Sequence, residues 1–344
     1  MVASHPAQLA LPGAHGRMIA MSFAFHPNDT SVAAGFRRIA RAELKAAIRA
    51  LKAADAAAGP TPKAVHGLRK HSKKLRGLLR LVRPVFRGFP AANIALRDGA
   101  RDLAALRDAE VRLSVFRRIA AGLPAGTVPE RADAVMQEEI AQLRAPVQME
   151  ALRRDLRRDF KHLHRQARGW KLTASGWDAL EPGLTESWRA ARRGCKASAR
   201  AFARGQHAPF HEWRKAVKHH WYQARLLAPI RPDMMALQIA AMDALGEDLG
   251  DHNDLDLLLV YLAGHADPAI SALAGQGPFG DALRGARDDL ARRALWLGAL
   301  LLAEKPASLS RRWRGCWQDW RRAGRRGRNG AAKRCRRGGG AAAR

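Results

Sequence analysis

His66-Gly-Leu-Arg69-Lys70-His-Ser-Lys73-Lys74-Leu-Arg76 decides the reading of this chain, because the pattern occurs twice. It returns as His211-Glu-Trp-Arg214-Lys215-Ala-Val-Lys218-His219-His-Trp, with His, Arg, Lys and Lys at relative positions 0, 3, 4 and 7 in both copies, 145 residues apart. Arg80 and Arg225 both follow at position 14. At about 100° per residue, His66, Arg69, Lys70, Lys73, Lys74, Arg76 and Arg80 fall within an arc of roughly 160°. Leu68, Leu75, Leu78, Leu79, Val82 and Val85 lie mostly opposite, where a core would be. Each copy is expected to be an amphipathic helix whose polar face carries one sign of charge. Nothing on that face neutralises it, so the expected partner is an anion.

A second match follows the first in both copies. Asp102-Leu-Ala-Ala-Leu-Arg107-Asp108-Ala-Glu-Val111 pairs with Asp248-Leu-Gly-Asp-His-Asn253-Asp254-Leu-Asp-Leu257, at an offset of 146. Two blocks in the same order at nearly one offset mark an internal duplication, so fold and function are read at the level of two related halves.

Lys and Arg total 61 against 31 acidic residues, a formal net charge of +30. That excess bears on partners and not on fold: nucleic acid, a polyphosphate or an anionic membrane surface. A GC-rich genome could inflate Arg on an ordinary solvated surface, but drift would scatter the charges instead of stacking them on one helix face twice. No apolar run reaches the roughly 18 residues of a spanning helix, the longest lying around Ala294–Ala303, so no membrane insertion is expected. The first residues, with Pro6 and Pro12, do not resemble a secretory signal; residues 1–21 are expected to be disordered, with Met18 or Met21 as alternative starts. Cys195, Cys316 and Cys335 are odd in number and unclustered, which suggests neither a disulfide framework nor a zinc site and fits a reducing, cytoplasmic setting.

Periodicity predicts helices almost throughout. An N-cap at Asn28–Ser31 precedes a helix of about Val32–Ala57 carrying Arg37, Arg41, Lys45, Arg49 and Lys52. The His66 helix runs to about Arg83-Pro84, and a third covers about Ala91–Ala121. A fourth segment ends near Arg168, with Pro146 kinking or splitting it, and a junction follows at Gly169–Gly183. The second half repeats the order: about Leu184–Arg204 with Lys196 and Arg200, the His211 helix, Asp248–Leu262, Asp281–Leu302 and a short helix near Arg311–Arg322. Trp296, Trp313, Trp317 and Trp320 are expected in late-helix packing, and His220 in the core. From Ala323 the chain is Arg, Gly and Ala without an apolar face, and residues 323–344 are expected to be a disordered tail.

With both motifs in place, residues 22–322 resemble the CHAD family, the conserved histidine α-helical domain. The resemblance implies an all-α fold of two four-helix bundles related by a pseudo-twofold axis (about 22–170 and 180–322), with basic side chains facing a central groove or pore. It also implies association with inorganic polyphosphate, some members of the family localising to polyphosphate granules. His66, Arg69, Lys70, Lys73, Lys74 and Arg76 match the family motif in the first half, and His211, Arg214, Lys215, Lys218 and His219 in the second. Arg107 with Asp108, and Asn253 with Asp254, match the shorter motif. Trp221 stands where the first copy has Arg76, and His219 where it has Lys74, so unequal halves are expected. The Glu-x-Glu-x-Lys of the triphosphatase domain attached to many relatives is missing.

These residue types suit a polyphosphate, which offers only charged oxygens: Arg engages them bidentately and Lys acts as a point charge. Counterion release makes such binding salt-dependent. Arg41, Lys45 and Arg49 on the first helix, with Lys196 and Arg200 on its counterpart, are expected to form the other wall, and Arg80 and Arg225 to extend the motif rows. His66 and His211 serve either as phosphate donors, strengthened by protonation at mildly acidic pH, or as structural partners of Asp108 or Asp254. Asp251-His-Asn-Asp254-Leu-Asp256 lacks the glycine and terminal glutamate of a calcium loop, so its acids are read as partners of the basic helices. The sequence thus predicts a non-enzymatic polyphosphate-binding protein without metal or cofactor. The alternatives are a nucleic-acid binder helped by the basic tail, and a metal-dependent phosphohydrolase.

Overall fold

The computed structural model describes residues 23–56, 62–144 and 146–338, with side chains for all of these except 53–56, 62–66, 99–104, 146–152, 325 and 327–338. Every described element is helical: α1 (Val32–Ala56), α2 (Pro62–Leu81), α3 (Phe89–Ala120), α4 (Glu130–Leu143), α5 (Pro146–Gln166), α6 (Glu181–Phe202), α7 (Pro209–Leu226), α8 (Pro232–Ala263), α9 (Pro268–Ser271), α10 (Pro278–Leu301) and α11 (Pro306–Gly338). Proline opens most of them, because its fixed φ suits the first turn and its missing N–H is not needed there. Pro146 begins α5 and so splits the fourth segment, whereas Pro232 begins α8 sixteen residues before the expected start at Asp248. The early part of α8 has no polar stripe to betray it, because its exposed face is built of Ala236, Leu237, Ala240 and Ala244, with Leu237 70% exposed.

Helices α2 and α7, the two motif copies, pack directly on each other, and α3 packs on α8, each on its own counterpart in the duplication. Gly77 sets the α2–α7 distance: a Cβ there would lie 2.5 Å from Cβ of Tyr222, its counterpart in the repeat. The apolar cores do not follow the expected division into one bundle per half. One draws on α1, α2, α5, α6, α7 and α11 with the first parts of α3 and α8 and the later part of α10, around Phe36, Leu75, Trp188, Trp213 and Trp313. The other joins the far ends of α3 and α8 to α4, α9 and α10 through Phe116, Met136, Leu258 and Phe279. Helices α3 and α8, 32 residues and therefore about 48 Å long, run through both.

Residues 1–21 lie outside the described residues. From Phe23 the chain is strapped down: Phe25 N–H donates to the Leu226 carbonyl (2.9 Å) and Arg38 holds Asp29 (2.7 Å). The 169–183 junction is not a loose linker, since Trp170 and Trp177 are buried in it. Helix α11 runs on to Gly338, past the short helix expected near Arg311–Arg322. His220, Trp313 and Trp317 are buried as expected, but Trp296 is 69% exposed on α10. Among the described residues no helix is long and apolar enough to cross a membrane, and Cys195 and Cys316 are free thiols.

Candidate anion-binding site

On α2, Arg69, Lys73, Arg76 and Arg80 recur every three or four residues and so share one stripe within about 60°. The first two meet the second half. Arg69 lies 3.8 Å from Asp108, which also takes Arg107 at 3.4 Å, and Arg107 reaches Asp254 at 3.8 Å. Arg214 and Lys218 on α7 join this cluster; Lys218 contacts Asp243 at 3.1 Å, and its aliphatic stem fills the space a Cβ at Gly246 would need. Lys73 and Arg214 form no ion pair among the described residues. Although Lys73 reaches solvent, crowding by the surrounding protein, then repulsion from Arg69, Arg214, Arg107 and Lys218, pulls its ammonium down to about 8. Burial likewise lowers Arg214, outweighing the attraction of Asp254, and burial pushes the Asp254 carboxyl up despite Arg107 and Arg214 beside it.

Beyond this cluster the stripe opens into a cavity of about 460 Å³ between the end of α2, α6 and α7. Arg76, Arg80, Arg83, Arg193, Lys215 and His219 line it together with Glu186 and Glu212. The two carboxylates are engaged, Glu186 with Arg83 at 3.1 Å and Glu212 with Lys215. Among the described residues Arg76 reaches only the Asn93 side chain (3.3 Å), and the buried Nε of Arg80 has no hydrogen-bond partner. Burial lowers both guanidiniums. The result is a pocket in which cations outnumber carboxylates, an arrangement chemically suited to an anion.

Other expectations are redirected. The motif face is not free of acids: Glu43 on α1 accepts from Lys74 (2.9 Å) and from Nδ1 of His71 (2.6 Å). Burial pushes the Glu43 carboxyl up, but these two partners outweigh it and hold it below its ordinary value. Lys74 is thereby neutralised, whereas Lys70 stays exposed. Arg225 lies over the Trp221 ring at 4.6 Å and points away from the cavity. The expected wall also differs. On α6 the cavity takes Arg193, which sequence reasoning passed over, while Lys196 and Arg200 are exposed outside it. On α1 the Glu43 side faces α2, which turns Arg41 and Lys45 away, roughly 160° round the helix to either side. Arg49 is exposed.

The histidines divide as well. His66 has its backbone in α2, but its side chain lies outside the described residues. His211 donates from Nδ1 to the Asn253 amide oxygen (2.6 Å) and not to Asp254. Burial, then Arg80, Arg76 and Lys215, depress His219 to about 3, so it is neutral at mildly acidic pH in the unliganded protein. Asp256 pairs with Arg287 at 3.1 Å and Asp248 with Arg293 at 2.6 Å, both arginines on α10 and not on the motif helices. Among the described residues no group of three His, Cys, Asp or Glu side chains is placed to hold a metal ion.

Comparison with known proteins agrees with this architecture. The CHAD domain model matches residues 42–263, more than half of the chain. Among solved structures, the CHAD domain from the plant Ricinus communis superposes with a TM-score of 0.53 at 22% identity, over 79% of this chain and 94% of that one. PptA from Streptomyces chartreusis gives 0.54 at 15% identity, over 77% and 96%. No curated protein sequence matches the chain. The duplicated helices, the α2–α7 cation cluster and the family match together place this chain in the CHAD domain family.

Proposed function

We propose that this protein binds inorganic polyphosphate without acting on it chemically, along a path from the Arg69–Lys73–Arg214–Lys218 cluster into the Arg76–Arg80–Arg193 cavity. One observation carries the reading: on the α2 stripe Lys73, Arg76 and Arg80 form no ion pair among the described residues, and the crowding pulls Lys73 down to about 8. Folding has assembled repulsion that an anion relieves. A chain of phosphates fits best, because the cations are spaced by about 6 Å per four residues along the helix and can meet successive groups of a flexible strand. Each bidentate Arg–phosphate contact is worth roughly 1.5–3 kcal/mol as a charged hydrogen bond.

Nucleic acid is the competing ligand. It would want aromatic rings interleaved with the cations for base stacking, and Trp221, beside the path on α7, is already covered by Lys218 at 4.8 Å and Arg225 at 4.6 Å. The test is competition between long-chain polyphosphate and single-stranded DNA at equal charge concentration, followed by anisotropy of labelled DNA. Polyphosphate displacing DNA completely supports the proposal. DNA displacing polyphosphate overturns it in favour of the nucleic-acid reading. Loss of phosphate from polyphosphate incubated with magnesium or manganese would refute binding without chemistry.

A further inference from the structure

The basic stripe on α1 does not belong to the α2–α7 path, and it faces other cations. Helix α1 packs on α5 with its start beside the end of α5, where Arg37 donates to the Trp170 carbonyl (3.1 Å). Along this seam Arg41 and Lys45 stand near His164 and Arg168, and the exposed Lys161 continues the α5 row at three- and four-residue spacing. Arg41, Lys45, Lys161 and Arg168 form no ion pair among the described residues, and the buried Nε of Arg41 has no hydrogen-bond partner. Asp155 and Asp159 do not help, because they sit roughly opposite on α5 and are taken by Arg158 at 2.9 and 3.3 Å. The crowding is visible in His164, whose protonated form is disfavoured by burial, then by Arg41, Arg168 and Lys45.

Two helices that confront like charges across their own seam lose stability there unless mobile or bound anions gather. Glu43 marks the other side of α1 as the side turned to α2, so this seam opens on a different surface from the cavity. No aromatic ring is exposed on it; Trp170 at its end is buried. We infer that the α1–α5 seam is a second, outer polyphosphate-binding face, so that one molecule holds two separate stretches of polyphosphate and can bridge two strands. The inference rests on the proposed function and adds a site to it.

The test uses the full chain and long-chain polyphosphate in titration calorimetry, with the phosphate residues bound per protein at saturation as the readout. The outer variant carries Arg41→Glu, Lys45→Glu and Arg168→Glu; a milder form, Lys45→Gln with Arg168→Gln, guards against misfolding. The path variant is Lys73→Glu. The outer variant should bind about half as many phosphate residues, lose the turbidity that bridging produces, and keep its path affinity within a few fold. Removing two seam cations in the Gln form should flatten the salt slope by about 1.4, at roughly 0.7 per cation for a flexible strand. The path variant should keep the weaker outer binding. An outer variant with parental stoichiometry and slope overturns the second face and leaves the function standing. A parent that binds no polyphosphate overturns the function itself. An outer variant that loses single-stranded DNA binding but not polyphosphate binding refutes the inference in favour of a nucleic-acid face.

Discussion

The two sides of the α2–α7 crossing come from equivalent sequence positions and have opposite characters. On one side Arg76 and Arg80 of α2 face Lys215 and His219 of α7 across an open cavity. On the other, the repeat places Trp221 where Arg76 stands and Arg225 where Arg80 stands, with Lys74 as the counterpart of His219. There the space is filled: the buried Phe23 ring sits 4.9 Å from Lys74 Nζ and 6.0 Å from the Arg225 guanidinium, edge-on to Tyr222. On the first side Arg76 and Arg80 form no ion pair among the described residues. On the second, Lys74 of α2 is turned onto the buried Glu43 and Arg225 of α7 onto the Trp221 ring, beside the docked N-terminal segment. An aromatic residue in place of an arginine, with one docked segment, closes that side.

Charge reversal should separate the sides most sharply. Arg76→Glu with Arg80→Glu should weaken polyphosphate binding by about a hundredfold or more, since two charged contacts of roughly 1.5–3 kcal/mol each are replaced by repulsion. Lys74→Gln with Arg225→Gln should change affinity less than about fivefold while lowering thermal stability. Equal affinity losses from both pairs, measured by calorimetry, would break the comparison.

Next comes pH. In the unliganded protein Lys73 titrates at about 8, and a bound anion raises that value. Below 8 the lysine is charged with or without ligand. Above it, binding takes up a proton, so affinity should fall by up to about tenfold per pH unit until the bound value is passed. Lys73→Gln should remove this dependence. It should also raise the melting temperature at pH 7, because the depressed lysine costs stability while protonated, a cost that fades as pH rises from about 8 toward 10.5.

On the closed side Glu43→Gln should cost about 1–3 kcal/mol of stability at pH 7, since two partners lose a buried charge, with little change in affinity. The Glu43 carboxyl is held below its ordinary 4.5, so its contribution is complete above that value and is lost as pH falls through its lower folded value. Urea melts of the parent and variant should therefore converge in acid. The smallest effect is expected from His219→Gln: with the imidazole held to about 3, affinity between pH 6 and 8 should shift by less than about twofold. A strong loss confined to pH 6 would show that bound phosphate recharges this histidine.

Much of this was legible because the duplication is written in charged residues at helical spacing. The motif helices lie within a few residues of where periodicity puts them, and Arg69, Lys73, Arg107, Arg214 and Lys218 meet as a cluster across the halves. What escaped depends on which neighbour a helix faces. The α1 stripe has the same spacing whether it borders a groove or an outer seam, and only Glu43, on the far side of that helix, tells which face meets α2. Arg193 lies one turn from the more conspicuous Lys196 and two from Arg200, and no local pattern favours it. The first half of α8 lacks a polar stripe because its exposed face is apolar, carrying Ala236, Leu237, Ala240 and Ala244, and Trp296 looks like core by type yet stands in solvent.

The central claim is tested most directly by the salt dependence of polyphosphate affinity in the parent, in Lys73→Gln with Arg214→Gln, and in a chain ending at Ala323. With roughly six to ten cations engaged along the path, log affinity should fall against log salt with a slope of about −4 to −7, at 0.7 per cation. The double variant should flatten that slope by about 1.4, and the truncation should leave most of it intact. A slope that collapses on truncation, or that ignores the loss of Lys73 and Arg214, would place binding in the basic tail and contradict the account.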